Sequence, residues 1–261
     1  MEAATEIQPS SKQTQQELTI AGPDPQGRRD PLDRLIVALD FPSAEAAMDM
    51  VDQLQGTCRW FKVGMELYYA AGNSVIERLR ERGFEVFLDL KLHDIPNTVA
   101  GAVRSVAGVG ASLLTIHAGG GERMMRAAAE AASAPNAPRL LAITVLTSMD
   151  TAELSAVGVT GTPAAQVLRL ARLAQTAGID GLVCSAEEVA AVREAMGPAA
   201  LLVTPGIRTA AADVGDQSRV ATPAQAIARG ASMLVVGRPI TQAADPAKAA
   251  LAILVEMRTA N

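Results

Sequence analysis

Five charged residues sit where the surrounding sequence asks for apolar ones. Asp40 closes the run LIVALDF (residues 35–41), Lys62 interrupts WFKVGMEL (60–67), Asp89 and Lys91 stand two apart within EVFLDLKL (85–92), and Asp94 follows just beyond. Side chains alternate along an extended segment, so Asp89 and Lys91 share one face while Val86, Leu88, Leu90 and Leu92 supply the other. Burying such charges is unfavourable unless each is paired, which an alternation of Asp and Lys in space would satisfy. That alternation serves either as a structural ion network or as an electrostatic site. In the second case, lysines kept protonated by flanking carboxylates stabilise developing negative charge and deliver a proton.

A second constellation lies near the C-terminus. Pro205-Gly206-Ile207-Arg208 and Gly237-Arg238-Pro239-Ile240 each follow a short apolar run. Gly at a turn, Arg beside it and a helix start after it make an anion site suited to phosphate; the plain alternative is glycine for turning and arginine for solvent. The long connection 209–222 reads as a lid over such a site. His93 reads as structural, His117 as a satisfied core histidine, and Gly119-Gly120-Gly121 as a turn into a helix.

These residues need a scaffold that gathers strand ends. Apolar runs at 35–41, 60–67, 85–92, 113–118, 140–147, 181–185, 201–205 and 233–237 alternate with helical stretches near 43–54, 72–82, 97–108, 121–132, 163–177, 186–195, 222–229 and 245–257. Near-continuous apolar strands are buried on both faces, as parallel strands beneath crossover helices must be. The expectation is a single (β/α)8 TIM barrel over residues 32–261, with its site at the C-terminal ends of the strands. An open doubly wound sheet is disfavoured, because Asp40-Phe41-Pro42-Ser43 stands where a Gly-rich phosphate loop would follow the first strand. Residues 1–31, rich in Gln, Pro, Ser and Thr, read as a disordered tail.

Composition narrows the classes. A net charge of −5 without any basic stripe argues against nucleic acid as a partner. Apolar runs well short of the ~18 residues that cross a bilayer argue against membrane insertion. Two separated cysteines and two histidines form no zinc motif or disulfide framework, and a reducing cytoplasm fits them.

The segment from Asp89 to Thr98, DLKLHDIPNT, resembles the D-x-K-x-x-D-I-P-N-T signature of the orotidine 5′-phosphate decarboxylase family. Leu39-Asp40, Phe61-Lys62-Val63-Gly64, Leu146-Thr147-Ser148, Pro205–Arg208, Asp216-Gln217 and Val236–Ile240 resemble its other motifs, in order, across roughly residues 33–257. The resemblance implies decarboxylation of orotidine 5′-monophosphate to UMP and CO2 without metal or organic cofactor, on a TIM barrel that works as a homodimer. It implies a charge network of Lys62, Asp89, Lys91 and Asp94, with Lys91 the proton donor and Asp89 beside the departing carboxylate. Asp94 and Thr98 would reach into the partner's site, and Asp40 with Lys62 would bind the ribose. Thr147 or Ser148 would contact the pyrimidine, while Arg208, Gln217, Gly237 and Arg238, in the loops that begin at Pro205 and Gly237, would hold the phosphate.

Two rivals remain at this point. Barrel relatives that act on keto-gulonate and hexulose phosphates place Mg2+ on carboxylates, and they resemble this chain except for an acidic ligand where Lys62 stands; Glu66 reopens that reading only if the strand register shifts. A nucleotide-binding barrel that keeps Arg238 and has lost its chemistry is the other, and the intact Lys62, Asp89, Lys91 and Asp94 argue against it.

Overall fold

A computed structural model describes residues 30–208 and 221–259. Most of the proposed tail, the proposed lid and Gln217 therefore lie outside the described residues. Eight parallel strands close on themselves in sequence order: β1 (Leu35–Ala38), β2 (Trp60–Gly64), β3 (Glu85–Leu92), β4 (Leu113–His117), β5 (Arg139–Ile143), β6 (Gly181–Val183), β7 (Leu201–Thr204) and β8 (Met233–Val236), with β8 pairing back onto β1. This is the barrel expected from the alternation of apolar runs and helical stretches.

Alternation along each strand divides the core in two. Ile36, Trp60, Phe87, Leu113, Leu141, Val203 and Val235 point inward and fill the barrel, whereas Val37, Phe61, Leu88, Leu114, Ala142 and Leu202 point outward beneath the helices. Packing is tight enough that a Cβ on Gly181 would stand 2.4 Å from the Leu140 carbonyl oxygen. In such a barrel the inward positions at the C-terminal strand ends are the only ones left for chemistry.

The helical layer comprises α1 (Ala44–Gln53), α2 (Met65–Ala71), α3 (Ser74–Glu81), α4 (Pro96–Ala107), α5 (Gly121–Ala131), α6 (Thr151–Ala156), α7 (Pro163–Thr176), α8 (Val189–Met196), α9 (Pro223–Ala228), α10 (Arg238–Thr241) and α11 (Pro246–Arg258). Local chemistry sets several of the starts. Ser43, Thr162, Thr222 and Asp245 each accept a hydrogen bond from a backbone N–H in the first turn, and Pro follows directly at α7, α9 and α11.

Three of these helices, α2, α6 and α10, were not expected from the sequence. The run 60–67 reads as one strand because Leu67 is apolar, yet the strand stops at Gly64 and Leu67 is buried as a helical residue. Similarly, β5 ends at Ile143, and residues 144–147 continue as a loop at the barrel mouth.

Candidate active site

The strand ends enclose a cavity of about 500 Å3 lined by Asp40, Lys62, Asp89, Lys91, Thr147, Pro205, Arg208, Gly237 and Arg238, among others. Parity explains Asp40, Lys62 and Asp89. Lys62 follows inward-facing Trp60 by two positions, Asp89 follows Phe87 by two, and Asp40 lies two beyond Ala38. Val86 and Leu88, with Leu90 and Leu92 at its margin, pack in the outer core, as the alternation required.

The charges form an alternating chain. Lys62 Nζ donates to Asp40 Oδ1 at 2.9 Å and lies 3.9 Å from Asp89 Oδ2, while Lys91 Nζ donates to that same Asp89 oxygen at 2.9 Å. The side chains of Lys62 and Asp89 are only 12% and 13% exposed, so solvent and salt screen their attraction weakly. Asp40 is 60% exposed and Lys91 30%, which leaves both ends of the chain open to a ligand.

Lys91 is held in an unusual way. Its φ of 50° lies in the left-handed region, where a side chain other than glycine is strained by roughly 1 kcal/mol. The β3–β4 register slips at this point: from Leu88 to Leu92 the chain advances four positions against two on β4, from Leu114 to Ile116. Thr115 fills the gap. Its hydroxyl accepts from the Lys91 N–H at 2.8 Å and donates to Asp89 Oδ1 at 2.9 Å. Sequence reading passed over Thr115; the available signal was a hydroxyl at an inward, fully buried position of the run LLTIH.

Of the residues expected in the site, Asp94, Thr98 and Ser148 do not line this cavity. All three are exposed; Asp94 and Thr98 flank the opening of α4 beside Ile95, itself 67% exposed. Thr147 lines the cavity where its neighbour Ser148 does not. Gln242, just after α10 and four positions beyond Arg238, also lines it and was not anticipated. The end of the signature opens α4: Pro96 stands at its first position, and Asp94 Oδ1 accepts from the N–H of Ile95 just before it.

His117 is neither fully buried nor free. Its Nδ1 accepts from the Gly119 N–H at 3.1 Å, and its ring stacks on His93 with centroids 5.1 Å apart. Burial, and then the neighbouring His93 and Lys91, hold its pKa below the usual 6.5. His93, expected to be structural, is exposed and makes this stack. Cys184 lines the cavity wall but is buried, and burial pushes both it and Cys58 up to about 12, far from thiolate reactivity.

The donor set suits anions better than a divalent cation. Among the described residues, Asp40 and Asp89 are the cavity's carboxylates, and the Lys62 ammonium stands between them. Glu66 is exposed on α2, away from the cavity wall. Among the described residues, no group of three or more His, Cys, Asp or Glu side chains could hold a metal ion.

Residues 33–253 match the model of the Orotidine 5'-phosphate decarboxylase / HUMPS family. The chain belongs to this family. It is 56% identical over 229 residues to an orotidine 5'-phosphate decarboxylase of Halorhodospira halophila, covering 87% of this chain and 97% of that protein. A Cutibacterium acnes protein of the same name is 53% identical over 222 residues, with 84% of this chain and 94% of that protein covered. Among solved structures, the orotidine 5'-phosphate decarboxylase of Lactobacillus acidophilus superposes with a TM-score of 0.77 at 40% identity, over 86% of this chain and 98% of that one. No helix among the described residues is long and apolar enough to cross a membrane.

Proposed function

We propose that this chain decarboxylates orotidine 5′-monophosphate to UMP and CO2, the last step of UMP synthesis, without metal or organic cofactor. The observation that carries the reading is the Asp40–Lys62–Asp89–Lys91 chain at the mouth of a family-member barrel, with Lys62 where a metal-dependent relative would need a carboxylate. Relatives at 56% and 53% identity bear the decarboxylase name and support the substrate.

The family resemblance supplies the division of labour. Arg208, Gly237 and Arg238, which line the cavity, receive the phosphate together with Gln217 of the connection 209–222; Asp40 and Lys62 take the ribose, and Thr147 the pyrimidine. Breaking the bond between C6 and the carboxylate releases CO2 and leaves the electron pair on C6. The Lys91 ammonium stabilises that pair and transfers a proton to C6, and it is reprotonated from water. Asp89 accepts from Lys91 Nζ at 2.9 Å and so aims it, and it lies beside the departing carboxylate. Binding energy from the remote phosphate helps to organise the site.

The catalytic unit is assigned to residues 32–261, acting as a homodimer in the cytoplasm. Asp94 and Thr98, exposed beside Ile95 and outside their own cavity, are suited to complete the partner subunit's site. Neither nucleic acid nor membrane is required.

The test is an absorbance assay of orotidine 5′-monophosphate turnover in excess EDTA, with Lys91→Ala alongside. Turnover that survives chelation and collapses in the variant is the expected result. An inactive wild type would sink the assignment, and activity lost to EDTA would favour the Mg2+-dependent relatives.

A further inference from the structure

The hydroxyl of Thr115 touches both members of the reacting pair from beneath. It is fully buried inside the barrel, with Oγ1 donating to Asp89 Oδ1 and accepting from the Lys91 N–H. No other neutral side chain among the described hydrogen bonds bridges these two residues. We infer that Thr115 is a positioning residue, one that holds Asp89 and Lys91 in their reactive arrangement without itself touching substrate. The inference rests on the reading above that Lys91 is the proton donor.

Two physical effects combine. A carboxylate tied through Oδ1 cannot rotate freely about χ2, so Oδ2 stays turned toward the ammonium groups at 2.9 and 3.9 Å. At the same time, the β3–β4 ladder skips the residues between Leu88 and Leu92, and the Lys91 N–H loses a strand partner there. A buried N–H without an acceptor is unfavourable, and Thr115 Oγ1 supplies the acceptor. This bond secures the φ of 50° that sets where the Lys91 side chain leaves the backbone. Threonine suits the role because its β-branched side chain has few rotamers and one hydroxyl both donates and accepts.

Replacement by Ser, Cys and Val grades the hydrogen bond while nearly preserving volume. Thr115→Ser is expected to keep kcat within about 3-fold of wild type, Thr115→Cys to lower it several-fold, and Thr115→Val to lower it on the order of 30-fold, all with KM nearly unchanged. Activity should follow hydrogen-bonding capacity rather than melting temperature. The order Ser above Cys decides the matter even if Thr115→Val does not fold. Near-equal kcat values across the folded variants, or an order that tracks melting temperature alone, would overturn the inference. Crystal structures of the same proteins separate it from the functional reading. A wild type inactive toward orotidine 5′-monophosphate counts against that reading alone, because positioning is read directly in the φ of Lys91 and its Nζ distance to Asp89. Both should persist in Thr115→Ser and change in Thr115→Cys or Thr115→Val; retention in all three variants would refute the positioning role.

Discussion

The two ends of the barrel both carry charge, but only at one of them does that charge border a cavity. At the N-terminal end, Arg193 of α8 donates to the carbonyls of Gly197, Pro198, Ala200 and Gly230 and to the Ser232 hydroxyl, fastening the segments that lead into β7 and β8. Arg34 likewise reaches the carbonyls of Ala231 and Ser232, and Glu85 is matched by Arg80 and Ser112. Arg193 and Arg34 thus meet backbone acceptors, while Arg59, Arg80 and Arg139 at the same end pair with the carboxylates of Asp33, Glu85 and Asp180. At the C-terminal end, Asp40, Lys62, Asp89 and Lys91 compensate one another beside a cavity of about 500 Å3. A charge satisfied by backbone holds the fold, whereas a side-chain pair that borders the cavity can exchange a partner for a ligand.

Opposite mutational profiles should expose the difference. Removing Lys91 as Lys91→Ala is expected to reduce kcat by roughly 10³- to 10⁴-fold, since both a proton donor and the charge that stabilises the carbanion are lost. Its melting temperature should stay within about 3 °C of wild type, because the side chain is partly exposed and leaves a cavity open to water. Arg193→Met keeps the aliphatic stem and removes the scaffold bonds. It should lower stability by about 2–3 kcal/mol, or roughly 5–10 °C, and leave kcat unchanged. Thermal melts and steady-state kinetics on both proteins test the contrast; an Arg193 variant that loses activity without losing stability would break it.

A smaller perturbation probes how tightly the catalytic end is fitted. An added Cβ on Gly64 would stand 2.9 Å from Lys62 Nζ and 3.4 Å from Asp40 Oδ1. The ammonium lies at the end of a flexible chain, so it can retreat by a few tenths of an ångström without disturbing the core. Gly64→Ala should therefore cost about 10-fold in kcat/KM and almost nothing in melting temperature. If stability fell instead, the glycine would belong to packing rather than to the site.

The barrel and much of its cavity were legible because both rest on short-range rules. Eight apolar runs imply strands buried on two faces, and a period of two places Asp89 with Lys91 opposite a row of leucines and a valine. What stayed hidden depends on relations between strands. The left-handed Lys91 and the bond to Thr115 arise from a slip of β3 against β4, which no property of either run announces. Met65–Ala71 was concealed within an apolar run because an inward-turned helix and a strand both need a residue such as Leu67. Thr147 and Ser148 are adjacent hydroxyls in one loop, and only the backbone path separates the one that lines the cavity from the one that does not. The positions of Asp94 and Thr98 outside their own cavity follow from the entry of α4, whereas a role across a dimer was suggested by family resemblance alone.

The subtlest asymmetry between the ends concerns pH. His117 lies at the end of β4, and its Nδ1 can accept from Gly119 only while unprotonated. Burial, His93 and Lys91 together depress its pKa below the 6.5 of an unfolded imidazole. A group whose folded pKa is depressed contributes stability that is fully present above 6.5 and is lost as pH falls through its lower folded value, because the unfolded chain takes up the proton first. His117→Asn retains an acceptor near Gly119 and cannot titrate. Its melting temperature should decline less than that of the wild type as pH is lowered from about 7.5 to about 5, while Arg193→Met, at the opposite end, should retain the wild-type slope. Parallel curves for His117→Asn and wild type would show that protonation of this ring is not linked to folding, and would leave the His93 stack as a packing contact.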